Sequence, residues 1–147
     1  MSLRVDSVSV HRGSFSLSIP TLALHSGKLT ALIGKSGSGK STVLHLIAGF
    51  LKSETGTIRW GETRLDLLPP EKRRIAMLFQ ENALFPHLTV RKNIEFSPRV
   101  QGLSSGEIKS RTENYLSKLQ IAELAERFPH EISGGQAQRV ALGRALA

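Results

Sequence analysis

Eight consecutive residues, Gly34-Lys35-Ser36-Gly37-Ser38-Gly39-Lys40-Ser41, combine three glycines with a primary amine and a terminal hydroxyl in the spacing G-x-x-x-x-G-K-S. Glycines so placed let successive backbone N–H groups turn toward one centre and form a nest for an anion. A helix starting just after them would aim its positive dipole end at the same point. In such a cradle Lys40 reaches the β- and γ-phosphates of a nucleoside triphosphate, and the Ser41 hydroxyl takes one Mg²⁺ position. Thr42 continues the same turn and is counted with the site.

A second glycine pair lies in Ile132-Ser133-Gly134-Gly135-Gln136-Ala137-Gln138-Arg139. Its Ser and Gln suit either an anion at a helix start or an ordinary N-cap after a loop. A third candidate is Gln80, within Met77-Leu78-Phe79-Gln80-Glu81-Asn82.

The elements that must position these residues follow from periodicity. Alternation in Leu3–Val10 and Phe15–Ile19, with Arg12-Gly13-Ser14 between them, predicts two antiparallel half-buried strands. Leu29-Thr30-Ala31-Leu32-Ile33 is apolar without alternation, the pattern of a strand covered on both faces, and it leads directly into Gly34. A helix is expected from Ser41 to Phe50, with short strands at Gly56–Trp60 and Ile75–Phe79. From Thr89 the pattern turns helical. Ser104-Ser105-Gly106-Glu107 offers a capping box before Ile108–Leu119, a further helical piece is expected near Ala122–Arg127, and Ser133 caps a last helix through Leu146.

The chain has 147 residues, 39% of them hydrophobic, enough for one domain with a core. It contains no cysteine, which excludes disulfide frameworks and thiolate metal sites. The longest apolar stretch, Val43–Leu51, is interrupted by His45 and far too short to span a bilayer. A net charge of +8 favours anionic partners. Its basic residues are scattered, with Lys72-Arg73-Arg74 the one tight cluster, and are expected on a solvated face. Aromatic residues, at 5%, supply little for base stacking, so no nucleic-acid partner is expected.

Taken together and in order, the Gly34–Ser41 loop, Gln80 and Ser133–Gln136 resemble the nucleotide-binding domains of ABC transporters over the whole chain. The resemblance implies an α/β fold: a P-loop NTPase domain of the ABC type with an N-terminal antiparallel part and a helical insert, and without the C-terminal part of the core sheet. It divides the chain into a strand-rich part with the phosphate loop at 1–88, a helical subdomain at 89–132 and the start of a signature helix at 133–147. It implies ATP and Mg²⁺ as ligands, with Gly34, Lys35, Ser36, Gly37, Ser38, Gly39, Lys40, Ser41 and Thr42 around the phosphates. Gln80 would touch Mg²⁺ and the attacking water. Ser133, Gly134, Gly135 and Gln136 would clamp the γ-phosphate held by a second ATP-binding subunit, head to tail. His11 stands where the family places its adenine-stacking aromatic, with Phe15 as a second candidate.

Two further expectations come from the same resemblance. The family's Walker B aspartate, catalytic glutamate and switch histidine lie beyond the signature helix, so a truncated subunit that binds ATP and hydrolyses it poorly is expected. No carboxylate here stands in their place: Asp66 reads as a turn residue and His130 as a surface histidine. The compact insert between Ser41 and Ser133 leaves no room for a long coiled coil, which favours transport over chromosome-type ATPases. Partners are then transmembrane permease subunits docking near Phe85-Pro86-His87-Leu88-Thr89-Val90, and a solute-binding protein, at the cytoplasmic face of the inner membrane. Leu46–Leu51 and Met77–Phe85 are similar to bacterial importers, the thiamine type in particular. The rival readings are a non-catalytic nucleotide-binding remnant and a basic nucleic-acid-binding module.

Overall fold

The computed structural model describes residues 1–147 and resolves into two compact units, Met1–Ile75 and Ala76–Ala147. The first unit begins with the hairpin the alternation predicts. Strand β1 (Ser2–Arg12) and strand β2 (Phe15–His25) pair antiparallel through a two-residue turn at Gly13-Ser14. Strand β3 (Thr55–Trp60) joins the other edge of β1, and the short β4 (Thr63–Arg64) completes a four-stranded sheet in the order β2-β1-β3-β4.

One residue decides which face of β1 is buried. Leu3 and Val5 point into the core, and so do Val8 and Val10, although strict alternation would send the second pair to solvent. Ser7, at φ 52°, bulges out of the ladder and shifts the phase by one. Its surroundings suit the bulge. Pro20 stands opposite on the edge strand and has no N–H to lose. Gly56 crosses so close that a Cβ there would sit 2.4 Å from the Ser7 carbonyl oxygen, and Thr55 Oγ1 donates to that oxygen at 3.0 Å.

Helix α1 (Lys40–Ala48) lays Val43, Leu46 and Ile47 against Leu3, Val5, Val8, Val10, Ile19 and Ile58, forming the first core. Its carbonyl end is held by Arg73. That guanidinium donates to Leu46 O (2.8 Å), Ile47 O (3.0 Å) and Leu68 O (2.9 Å), and the residue is 7% exposed. This corrects the expectation of a wholly solvated Lys72-Arg73-Arg74 cluster. Three carbonyls repay the middle member for leaving water.

Two expected strands are absent. Leu29–Ile33 forms no ladder, and Leu29 and Ile33 are 101% and 91% exposed; Ile75–Phe79 is likewise irregular. An apolar run supplies faces to bury, but a strand exists only through hydrogen bonds to neighbours, and no segment of the chain pairs with either run.

The second unit is helical. Helices α2 (Val90–Val100), α3 (Ser105–Lys118) and α4 (Gly134–Leu146) enclose a core of Val90, Ile94, Leu116, Ile121, Leu124 and Val140. Thr89, Ser104 and Ser133 cap them, the last two through full capping boxes with Glu107 and Gln136. The helix expected near Ala122–Arg127 is only a 3₁₀ turn at Ala122–Leu124. The carbonyls just after it serve another element: Ala125 O and Arg127 O accept the first amides of α2, from Arg91 and Val90.

Candidate functional site

Gly34–Gly39 lies on the surface of the first unit and ends at the start of α1. Gly39 is the N-cap residue at φ 91°, a left-handed conformation that glycine adopts freely and that a side chain would strain. It also leaves no room, because a Cβ would lie 3.1 Å from both Phe15 Cζ and Leu17 Cδ1. No side chain caps the helix and no acidic residue occupies its first turn. The amides of Lys40, Ser41 and Thr42 therefore face outward without an acceptor from the chain, beside the positive end of the helix dipole.

Lys40 folds back across the loop, its ammonium donating to Gly34 O (2.8 Å) and Lys35 O (2.7 Å). Those bonds hold the charge against the first two carbonyls of the loop. Ser41 is exposed, and its hydroxyl has no partner within the chain. Open amides, a cation and a free hydroxyl thus share one turn with no acidic side chain among them, donors of the kind an anion accepts.

His11 sits near the end of β1, with its Nδ1 2.6 Å from Glu54 Oε2 while its backbone N–H donates to Glu54 Oε1 at 3.0 Å. These hydrogen bonds from His11 hold the Glu54 carboxyl below its usual range. The imidazole stays more than half exposed, so a ring face remains open, whereas the Phe15 ring lies against Gly39. Asp66 is a turn residue, as expected: it accepts from the Ile58 amide (3.0 Å) and pairs with Arg64. His130 stacks on Phe128 at 5.9 Å.

In the second unit Gln80 and Gly135 line one cavity of about 470 Å³, together with Leu78, Phe79, Gln138 and Arg139. The Gln80 amide is exposed and unbonded within the chain. Ser133 Oγ accepts the Gln136 amide (3.3 Å), and Gln136 Oε1 accepts the Ser133 amide (2.8 Å). The N-cap role is thus filled, yet the Ser133 hydroxyl proton remains free to donate. A Cβ on Gly134 or Gly135 would meet nothing within 4 Å, so the backbone there is open to approach.

Sequence reasoning missed the side chains that shape the Gln80 segment. Asn82 and Ala83 both adopt positive φ (55° and 43°), and Arg144 from α4 donates to Ala83 O (2.8 Å) and Asn82 O (3.4 Å). Its guanidinium also lies 4.9 Å over the Phe85 ring, and burial pushes its pKa down. Asn93, fully buried, receives the Phe85 amide and donates to Phe85 O, Leu88 O and Thr89 O. A polar residue in an otherwise apolar helical stripe was the available signal for Asn93. Nothing local marks Arg144.

Residues 17–147 match the ABC transporter family. The chain is 43% identical, over a 148-position alignment that takes in all of it, to the sulfate/thiosulfate import ATP-binding protein CysA of Nephroselmis olivacea, covering 43% of that protein. It is 44% identical over 144 residues (97% of the chain, 39% of the relative) to a Salmonella typhimurium protein provisionally named as the 2-aminoethylphosphonate import ATP-binding protein PhnT. It is also 46% identical over 125 residues (85% of the chain, 36% of the relative) to a Brucella abortus protein provisionally named as ATP-binding. The chain thus spans about two fifths of the length of these relatives. With the phosphate loop, Gln80 and the Ser133–Gln136 motif in that order on an α/β frame, this chain belongs to the ABC transporter family and carries the fold of its ATPase domain.

Proposed function

We propose that this chain is the ATP-binding part of an importer subunit, taking Mg-ATP at Gly34–Thr42. The observation that carries the reading is the uncapped start of α1, where open amides, Lys40 and the Ser41 hydroxyl converge without a competing carboxylate. Lys40 leaves its two carbonyls for the β- and γ-phosphates, and the amides of Gly39–Thr42 orient the chain of phosphates. Ser41 and Gln80 have the oxygen donors that a magnesium ion accepts, and the ion would supply charge neutralisation at the phosphates. Adenine would rest on His11 or Phe15.

By family likeness, two such chains close head to tail, with Ser133–Gln136 of one facing the nucleotide of the other. The open backbone at Gly134-Gly135 and the free Ser133 proton suit that contact. Hydrolysis by the 147-residue chain is slow in this reading. In the first unit Asp6, Glu54 and Asp66 are engaged with Thr21, His11 and Arg64, and the other two carboxylates, Glu62 and Glu71, lie in the β3–β4 turn and the 3₁₀ turn Pro70–Lys72. Permease subunits and a solute-binding protein are the partners, at the cytoplasmic face of the inner membrane. No helix of the structure is long and apolar enough to cross a membrane. The relatives are named for sulfate/thiosulfate and 2-aminoethylphosphonate import, so the cargo is a small solute; the Leu46–Leu51 and Met77–Phe85 segments favour the thiamine type.

Equilibrium binding of a fluorescent ATP analogue to the wild-type chain and to Lys40→Ala tests the reading. Affinity is expected to drop at least tenfold, since one charge-assisted contact is worth about 1.5–3 kcal/mol. Equal affinities would sink the phosphate-loop assignment.

A further inference from the structure

Three features of the second unit meet at one side chain. Asn82 and Ala83 are consecutive non-glycine residues at positive φ, a conformation that L side chains avoid and that persists only where the surroundings impose it. Their carbonyl oxygens both turn onto the Arg144 guanidinium, at 3.4 and 2.8 Å. The same guanidinium covers the Phe85 ring, which in turn packs tilted against Phe96 of α2, with centroids 4.5 Å apart. Arg144 has no carboxylate partner, so its bonds are spent on this bend and ring alone. It stands in the last turn of α4, roughly 16 Å along the helix from the Ser133 cap at 1.5 Å per residue.

We infer that Arg144 is a positioning residue that latches the Gln80–Phe85 segment to the Ser133 helix, so that the two move as one body. The bend has local hydrogen bonds, from the Asn82 amide to Phe79 O and from the Ala83 amide to Glu81 O, but its two outward carbonyls are met only by Arg144. Asn82 tolerates positive φ, but Ala83 does not favour it, and the fork of a guanidinium supplies two donors at the spacing of the two successive carbonyls. Under the function proposed above, on which the consequence rests, a nucleotide contact at Ser133–Gly135 is felt at Gln80 through α4 and Arg144. The latch itself concerns only the second unit and stands or falls without nucleotide.

Amide hydrogen exchange of the 147-residue chain, resolved by residue, tests it in wild type, Arg144→Lys and Arg144→Gln. The amides of Asn82, Ala83 and Phe85, all hydrogen-bonded in the structure, are expected to exchange about tenfold faster in Arg144→Gln. Arg144→Lys should fall between, since an ammonium keeps the charge but not the fork. Amides inside α2 and α3 should be unchanged. Unchanged loop exchange in both variants overturns the latch. So does a loss spread evenly through α2 and α3, because a residue holding the whole unit is not tied to one loop. On the loop side, Ala83→Val penalises positive φ and leaves α4 untouched. It should speed the same amides in the wild-type chain and add less in Arg144→Lys; fully additive effects would overturn the inference. A failure of Lys40→Ala to weaken ATP binding would remove the functional consequence and leave the exchange result intact.

Discussion

Arg73→Ala is expected to destabilise the first unit by about 3 kcal/mol, a large share of what a single domain has. The side chain makes three hydrogen bonds from a charged donor, to Leu46 O, Ile47 O and Leu68 O, while only 7% exposed. Bonds of that kind contribute about 1.5–3 kcal/mol each when broken. Two terms reduce the sum: the guanidinium regains its hydration in the unfolded chain, and water enters the space left by Ala to meet some of the carbonyls. A net value near one and a half such bonds results. Two of the acceptors close the last turn of α1, so the loss falls on the helix that begins with Lys40 and Ser41. At about 3 °C per kcal/mol for a chain of this size, the midpoint should fall by about 9 °C. Trp60, the one tryptophan, lies in β3 and reports unfolding of this unit by fluorescence under heat or urea. Arg73→Lys should recover less than half of the loss, since one ammonium cannot span three carbonyls. The exposed neighbour provides the control: Arg74→Ala should stay within about 0.5 kcal/mol of wild type. Equal small shifts in Arg73→Ala and Arg74→Ala would refute the reasoning, because only Arg73 is buried and bonded to these three carbonyls.

Asn93→Ala should cost about 3 kcal/mol in urea unfolding of the second unit, since it strands the Phe85 amide and three carbonyls in a fully buried place; Asn93→Asp should cost no less, having lost the donor end. Burial alone would raise the Asp66 pKa, but hydrogen bonds from Arg64 and the Ile58 amide overrule it and the net shift is downward from 3.8. Its contribution is therefore complete above pH 3.8 and lost as pH falls through the lower folded value, so the acid limb of stability should flatten in Asp66→Asn. His11→Ala should weaken binding of an ATP analogue several-fold more than Phe15→Ala, because the imidazole keeps an open ring face while the phenyl ring lies against Gly39; the reverse order would assign the base contact to Phe15.

What the sequence by itself determined is the local and the contiguous. The turn at Gly34–Gly39 and the helix start after it are legible because glycine spacing specifies a backbone directly. The caps at Ser104 and Ser133 are legible for the same reason, since donor and acceptor lie three residues apart. The hairpin was readable from alternation, although the phase slip at Ser7 carried more meaning than the alternation itself. Tertiary structure alone decided the rest. Leu29–Ile33 and Ile75–Phe79 have strand composition and no ladder, because pairing is supplied by other segments and a run cannot supply its own partner. Arg73 and Arg144 look like any surface arginines until the fold sets carbonyls beside them from Leu46 and Asn82, tens of residues away. A guanidinium's role depends on which acceptors surround it after folding, and that arrangement is written nowhere in its own neighbourhood of the chain.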